Sequence, residues 1–439
     1  MNSKYTELRR KHERLIYHDY GISGGTIYFN FSVSGSGSDD EFFFSPKWTF
    51  DFDTKGADIE LLAFNLGMAE LISYWKCVCP PIVEVRCGAL DEWQINWWKK
   101  LYRNGLGEFF YRNSIEADDD FMQIYATGEK LRPPGKLDLS GCLIPVGGGK
   151  DSVVTLELLR AQKETGVCYI AGNIQSALDC AKTAGYADSQ IIKVSRTIDP
   201  ALLELNKRGY LNGHTPFSSV IAFSSLIFAC LSGKKYIVLS NESSANEGNT
   251  STGVNHQYSK SIDFERDFRE YTVKTGAGLP EYFSFLRPLS EWQITKKFIE
   301  FPQYLSVFQS CNVGSKTNTW CCKCAKCLYV YIMLSAFLND EKLTAVFNEN
   351  LLNNPELETI FNGLAYESEV KPFECVGTRA EINLALSEAL RKRENLPFLL
   401  QKYAENPRET PAPLDGYFDE NNFVPDEFLR LLRLKQNTT

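Results

Sequence analysis

The sequence predicts an α/β protein: a doubly wound parallel sheet, preceded by an N-terminal α+β domain and followed by a mostly helical C-terminal region. Three observations carry this reading. From Asp138 onward, short apolar runs at 142 to 146, 167 to 171, 190 to 195 and 235 to 240 alternate with helical patterns, as in strand-helix-strand units. The first run ends in Gly147-Gly148-Gly149 and passes through Lys150, Asp151 and Ser152 into a helix, the arrangement found at the carboxyl end of a parallel strand. The break Arg132-Pro-Pro-Gly135 then separates this pattern from a different one before it. The expected domains are 1–135, 136–337 and 338–439.

Each element has its own signal. Thr26 to Val33 alternates apolar and polar residues, Gly35 to Asp40 is turn-like, and Glu41 to Phe44 and Trp48 to Phe52 are aromatic-rich, so residues 20 to 53 read as a hairpin or small sheet. Asp58 to Tyr74 has helical spacing with Asp58 as its cap, and Asp91 to Tyr102 is a second helix whose Trp93, Trp97 and Trp98 read as core. Asn212-Gly-His-Thr-Pro216 starts a helix, with Thr215 as cap and Pro216 in its first turn. Residues 338 to 400 are helical by periodicity. Asn406 to Pro425, with prolines at 407, 411, 413 and 425, reads as an extended arm before a short terminal helix.

Composition narrows the function classes. With 439 residues, 44% of them hydrophobic and 23% charged, the chain has material for two or three domains of roughly 100–200 residues each. A net charge of −8 gives no general attraction to nucleic acid. The N-terminal residues are charged, without an apolar signal core, and no window approaches ~18 apolar residues. The expectation is a cytoplasmic protein with neither membrane nor nucleic acid as partner. Thirteen cysteines in such a chain read as reduced thiols and metal ligands rather than a disulfide frame.

The residues that carry chemistry begin with the glycines. Gly147, Gly148 and Gly149 permit positive φ and close backbone approach to an anion, and the following helix turns its positive end to the same place. Neither GxxxxGK[ST] nor GxGxxG is present, so this is a phosphate cradle of another kind. After the run at 235 to 240 comes a polar loop, Asn241 to Asn249, in which Glu242 and Glu247, together with Asp151, offer hard oxygen ligands for magnesium. His256 and Lys260 lie close together downstream. Arg287 has a planar fork suited to a carboxylate or phosphate. Cys311, Cys321, Cys324 and Cys327 form C-x9-C-x2-C-x2-C, a spacing that suits tetrahedral zinc, with Cys322 as an extra thiol.

The segment PVGGGKDS resembles the SGGxDS loop of the PP-loop ATP pyrophosphatases, with Gly147 where that family has a serine. In those relatives adenine lies near the end of the second strand, here Ala171, Gly172 and Asn173, and a similar cysteine set follows the domain in the 7-cyano-7-deazaguanine synthases. Taken together, PVGGGKDS, SNESSANEGN, VNHQYSKS, LRPLSEWQI, WCCKCAKC and KPFECVG resemble the family of UDP-N-acetyl-α-D-muramoyl-L-alanyl-L-glutamate epimerases (MurL), from residue 140 to 395 and more faintly before it. That resemblance implies inversion of the terminal L-Glu of UDP-MurNAc-L-Ala-L-Glu to D-Glu, with ATP and Mg2+, through an acyl-adenylate, for peptidoglycan synthesis. ATP would then contact Gly147 to Ser152, Gly172, Asn241, Glu242 and Arg287. His256, Lys260, Glu374, Cys375 and Glu247 are the candidates for proton transfer. Two alternatives stay open from these residues: another carboxylate-adenylating enzyme, either nitrile-forming or tRNA-modifying, and a non-catalytic nucleotide-binding module.

Overall fold

The computed structural model describes residues 2–35, 37, 41–51, 54, 56–249, 253–276, 278–367, 369–410 and 414–434. Most of the Gly35–Asp40 turn, together with Phe52, Pro411 and Pro413, lies outside the described residues. Two compact units are formed, and the chain alternates between them: the first holds 1–143, 192–237 and 258–282, the second 144–191, 238–257 and 283–439.

The first unit is organised on two long strands, His12–Ser23 and Thr26–Gly35, paired antiparallel with Ile22 opposite Ile27. The sheet begins earlier than the sequence pattern suggests, because residues 12 to 19 alternate only weakly. Two short parallel strands missed by the pattern, Ile82–Val85 and Gln123–Ala126, follow on the His12–Ser23 side. On the other side Lys47–Phe50 pairs antiparallel with residues 26 to 28. Ile191–Thr197 then runs antiparallel to Lys47–Phe50, with Val194 opposite Phe50. The α/β class is as expected, but the sheet is mixed, since Lys47–Phe50 runs antiparallel to both of its neighbours.

The core of this unit explains its aromatic content. The helix Glu60–Trp75 is buried around its whole circumference from Leu61 onward and packs on Phe217–Leu231. Gly67 is required there, since a Cβ would come within 1.9 Å of the Tyr17 hydroxyl. Glu70, deep in this layer, is satisfied by a two-pronged contact from Arg196 at 2.6 Å and 2.6 Å and by Trp48 Nε1 at 2.7 Å. Asp91 caps the Glu92–Gly105 helix in a full capping box. Trp98 is core as expected, stacked on Phe223 and donating to Tyr271 Oη at 3.2 Å.

Two caps differ from expectation. Asp58 does not cap its helix, whose N-cap is Ile59; its carboxylate accepts from Gly135 N at 3.2 Å. Thr215 does not cap Phe217–Leu231 either: Pro216 stands at the N-cap, and the Thr215 hydroxyl accepts from the buried Lys76 ammonium at 2.6 Å. In both cases a long-range partner competed successfully with the local turn.

The second unit holds the strand Val167–Ala171 and the carboxyl ends of Cys142–Pro145, Tyr236–Leu239 and Glu281–Ser284. The strands containing Cys142 and Tyr236 are parallel, with Tyr236 opposite Cys142. Helices follow the strands, and the stretch expected to be mostly helical, 338 to 400, holds Asp340–Phe347, Glu358–Ala365, Arg379–Arg391 and the start of Phe398–Glu405, with 366 to 378 non-helical among the described residues. The C-terminal arm docks on its own unit: Gln293 Nε2 donates to Asp415 O at 3.0 Å and Tyr417 O at 2.9 Å, and Phe428 in Asp426–Leu434 packs on Phe283. No helix among the described residues is long and apolar enough to cross a membrane.

Candidate active site

The glycine loop lies between Cys142–Pro145 and the helix Lys150–Leu158, with Gly149 as N-cap. Gly148 has φ +82°, and a Cβ there would lie 2.4 Å from Ser176 Oγ. At Gly149 a Cβ would meet Ser310 Oγ at 2.5 Å. Gly147 is different, because its only neighbour within reach is Ser152 Oγ at 3.9 Å. The Gly147 N–H donates to that hydroxyl at 3.1 Å. Gly148, with positive φ and backbone atoms in the way, is therefore sterically obligatory; at Gly149 only a rotatable hydroxyl intrudes, and the position of the missing serine has room for one.

At the mouth of the loop Lys150, 1% exposed, pairs with both Asp151 and Glu291. Carboxylate oxygens of Asp151, Glu242 and Glu291 all lie within 4.8 Å of one another. Burial works against the Lys150 ammonium, yet the Asp151 and Glu291 carboxylates outweigh it and hold its pKa above the ordinary value. Burial pushes Glu291 up to about 8, against the pull of Lys150. Three acids facing one cation leave an excess of negative charge in a poorly solvated place. The donor set, all hard oxygens, fits a divalent cation such as Mg2+.

The polar loop is braced from beneath. Arg287 is fully buried and its fork donates to Glu242 O at 2.6 Å and Ser284 Oγ at 3.3 Å. Asn241 Nδ2 also donates to Ser284 Oγ, at 3.1 Å. Further along, Lys371 is buried and pairs with Glu247, while Asn249 donates to Pro372 O at 2.9 Å and accepts from His256 N at 2.8 Å. Glu247 and Asn249 thus each touch the start of the KPFECVG segment, at Lys371 and Pro372, and Asn249 also holds the main chain of His256. Gly172 turns at the end of Val167–Ala171 with φ +101°. Lys260, in the turn Tyr258–Lys260, belongs to the first unit.

The four cysteines converge as their spacing predicts: Cys311, Cys321, Cys324 and Cys327 place their sulfurs within 4.8 Å of one another. Main-chain N–H groups point at them, Gly314 N to Cys311 Sγ at 3.1 Å and Cys327 N to Cys324 Sγ at 3.4 Å, which favours thiolates. The hydrogen bond from Cys327 draws Cys324 down to about 5. Cys322 turns away with φ +58°, and its thiol meets Phe347 O at 3.2 Å. Four thiol donors with no other group among them suit a closed tetrahedral metal site.

Glu374 and Cys375 sit beside this knuckle, in a stretch without strand structure. Glu374 accepts from Lys326 N at 2.9 Å, and Cys375 O accepts from Lys326 Nζ. Burial raises the Glu374 pKa. Sequence reasoning quoted LRPLSEWQI and KPFECVG without singling out Glu291 or Lys371, and it did not mark Lys326 or Glu381. A signal for Glu291 existed: Ser290 and Gln293 form a capping box that places it at the first position of a helix.

A glycine loop at a strand's carboxyl end, facing convergent acids and a buried lysine, defines an α/β enzyme. The model of the MurL N-terminal domain matches residues 7–285, and that of the MurL C-terminal domain matches residues 307–412. Three similar proteins are each named UDP-N-acetyl-alpha-D-muramoyl-L-alanyl-L-glutamate epimerase. That of Xanthomonas oryzae pv. oryzae is 33% identical over 78% of this chain and 78% of its own length. Those of Salinispora tropica and a Micromonospora species are 31% and 30% identical, over 84% and 87% of this chain and 83% and 88% of theirs. The chain belongs to the MurL family. No solved structure matches it.

Proposed function

We propose that this enzyme inverts the terminal L-Glu of UDP-MurNAc-L-Ala-L-Glu to D-Glu, a step of peptidoglycan precursor synthesis, and uses ATP to do so on a PP-loop pyrophosphatase fold. Family membership over most of the chain supports the substrate and the reaction. The observation that carries the ATP step is the buried Lys150 among Asp151, Glu242 and Glu291 beside the glycine loop. Nitrile-forming and tRNA-modifying readings have no comparable support along the chain.

A carboxylate resists loss of its Cα proton, because deprotonation puts a second negative charge beside the first. In the proposed sequence the glutamyl carboxylate oxygen attacks the α-phosphorus of ATP, and the bond to pyrophosphate breaks. The acyl-adenylate has no carboxylate charge, so its Cα–H is more acidic. A base removes that proton, an acid returns one from the opposite face, and water then attacks the acyl carbon to release AMP and the D-epimer. Backbone N–H groups of Gly147 to Gly149 and the Lys150 ammonium would hold the phosphates and stabilise charge on the leaving pyrophosphate. Asp151, Glu242 and Glu291 would hold Mg2+, which as a Lewis acid lowers the charge on the phosphates when bound.

For proton transfer the candidates are His256, Cys375, Glu247, Glu374 and Lys260. Glu247 is engaged by Lys371, and Glu374 by the main chain of Lys326. Imidazole and thiol groups have ordinary pKa values nearer neutrality, which favours His256 and Cys375. Zn2+ on Cys311, Cys321, Cys324 and Cys327 would be structural. Incubation with UDP-MurNAc-L-Ala-L-Glu, ATP and Mg2+ in D2O tests the reading. Deuterium at the glutamyl Cα, D-Glu on chiral analysis and stoichiometric AMP are expected, and inversion at an equal rate without ATP would overturn it.

A further inference from the structure

The helix Arg379–Arg391 begins with a capping box in which Thr378 is the cap and Glu381 the third residue. For that purpose one carboxylate oxygen suffices: Oε2 accepts from Thr378 N at 2.9 Å and Thr378 Oγ1 at 2.8 Å. The other oxygen does something the box does not need. Oε1 accepts the main-chain N–H of Glu291 at 2.7 Å. That N–H is the first of the Glu291–Phe298 helix, a donor no intrahelical acceptor can satisfy, and it is buried.

Glu381 is itself only 3% exposed, so its carboxylate is held in a costly place, and burial raises its pKa. A second observation points to the same spot. The Tyr329 hydroxyl is fully buried and has no hydrogen-bond partner among the described residues. A Cβ on Gly377 would lie 2.8 Å from that hydroxyl and 3.2 Å from Glu381 Oε2, so the phenol and the carboxylate both crowd against Gly377, where a side chain would displace them. After burial, the influences on Tyr329 are the charges of Glu291, Glu381, Asp151 and Glu242.

We propose that Glu381 is a positioning residue: through the N–H of Glu291 it fixes the start of that helix, so that the Glu291 carboxylate meets Lys150, Asp151 and Glu242 in cation-holding geometry. The assignment rests on the ATP and Mg2+ reading above. It makes the C-terminal helical region part of the nucleotide step rather than a separate cover.

Glu381→Gln separates the two roles of the side chain. The amide oxygen can still serve the Thr378 donors, which turns the NH2 group toward the Glu291 N–H, donor against donor. Thr378→Ala is the control, since it weakens the cap and leaves Oε1 in place. Two readouts apply: Mn2+ binding followed by the EPR signal of the free ion, and the Mg2+ dependence of pyrophosphate release. Glu381→Gln is expected to weaken Mn2+ and raise the half-maximal Mg2+ about tenfold, with the rate largely recovered at high Mg2+. Thr378→Ala is expected to lower the melting temperature without shifting either midpoint. Should Glu381→Gln not fold, Glu381→Asp keeps the charge but falls short of Glu291 and should show the same shift. Unchanged midpoints in the folded Glu381 variant, or an equal shift in Thr378→Ala, would overturn the assignment. A wild type that needs no divalent cation would instead sink the ATP reading, and the assignment with it.

Discussion

The main-chain N–H of Lys326 donates to the carboxylate of Glu374 at 2.9 Å, so the residue next to Cys327 in the cysteine knuckle holds the segment that carries Cys375. Knuckle and segment are therefore mechanically one piece. The Lys326 ammonium reinforces the link by donating to Cys375 O.

Removing a knuckle ligand should loosen this piece. Cys324→Ser is expected to lower zinc content well below one per chain and to cost about 3 kcal/mol or more of stability. Amide hydrogen exchange should rise across residues 371 to 377 as well as 311 to 327. Protection of 371 to 377 unchanged in a zinc-free variant would show that the link is not rigid.

The three glycines should respond unequally. Gly148→Ala combines positive φ with a 2.4 Å approach to Ser176 Oγ and is expected to cost about 2 kcal/mol or more in urea unfolding, with a raised KM for ATP. Gly147→Ser meets only Ser152 Oγ, at an ordinary contact distance, and should stay within about 0.5 kcal/mol of wild type, with ATP affinity equal or improved. A severe loss of ATP affinity in Gly147→Ser would contradict the cradle.

Lys150 and Glu291 should be strongly coupled. Lys150→Met leaves buried acids without their cation and is expected to cost about 3–5 kcal/mol, whereas adding Glu291→Gln should recover part of that loss. Pyrophosphate release should fall about 10²–10³-fold in Lys150→Met and stay low in the double variant. Additive stability losses from a double-mutant cycle would mean the pair does not interact as described.

Lys76 provides a pH signature. Burial, then the nearby Arg196 charge, pushes its ammonium down to about 8, below the ordinary ~10.4 of an unfolded chain. Between these values the unfolded state holds more protons, so this residue's contribution to stability rises with pH, by up to about 3 kcal/mol. Lys76→Met lacks that titration. Its stability relative to wild type should therefore decline between pH 7.5 and pH 10, measured by denaturant unfolding at both. A constant difference would show that Lys76 titrates normally.

Local chemistry was readable where it depends on neighbours in the chain. The glycine loop follows from residue type, the helix expected at Asp91 to Tyr102 from its pattern, and the cysteine cluster from spacing, and all three are present, the helix as Glu92–Gly105. The motifs SNESSANEGN and KPFECVG were visible as segments, but their contact through Lys371 and Pro372 was not. Short strands such as Ile82–Val85 carry too few residues for a period to emerge.

By itself, then, the sequence determined the α/β class, the position of the glycine loop and of the cysteine cluster, and membership of the MurL family, because each rests on residue type and short-range spacing. Only the tertiary structure decided which acids share the mouth of that loop. Glu291 reaches Lys150 across 141 positions, and Glu381 holds Glu291 across another 90. Those partners are chosen by packing and by the need to satisfy buried charge, and neither leaves a periodic mark on the chain.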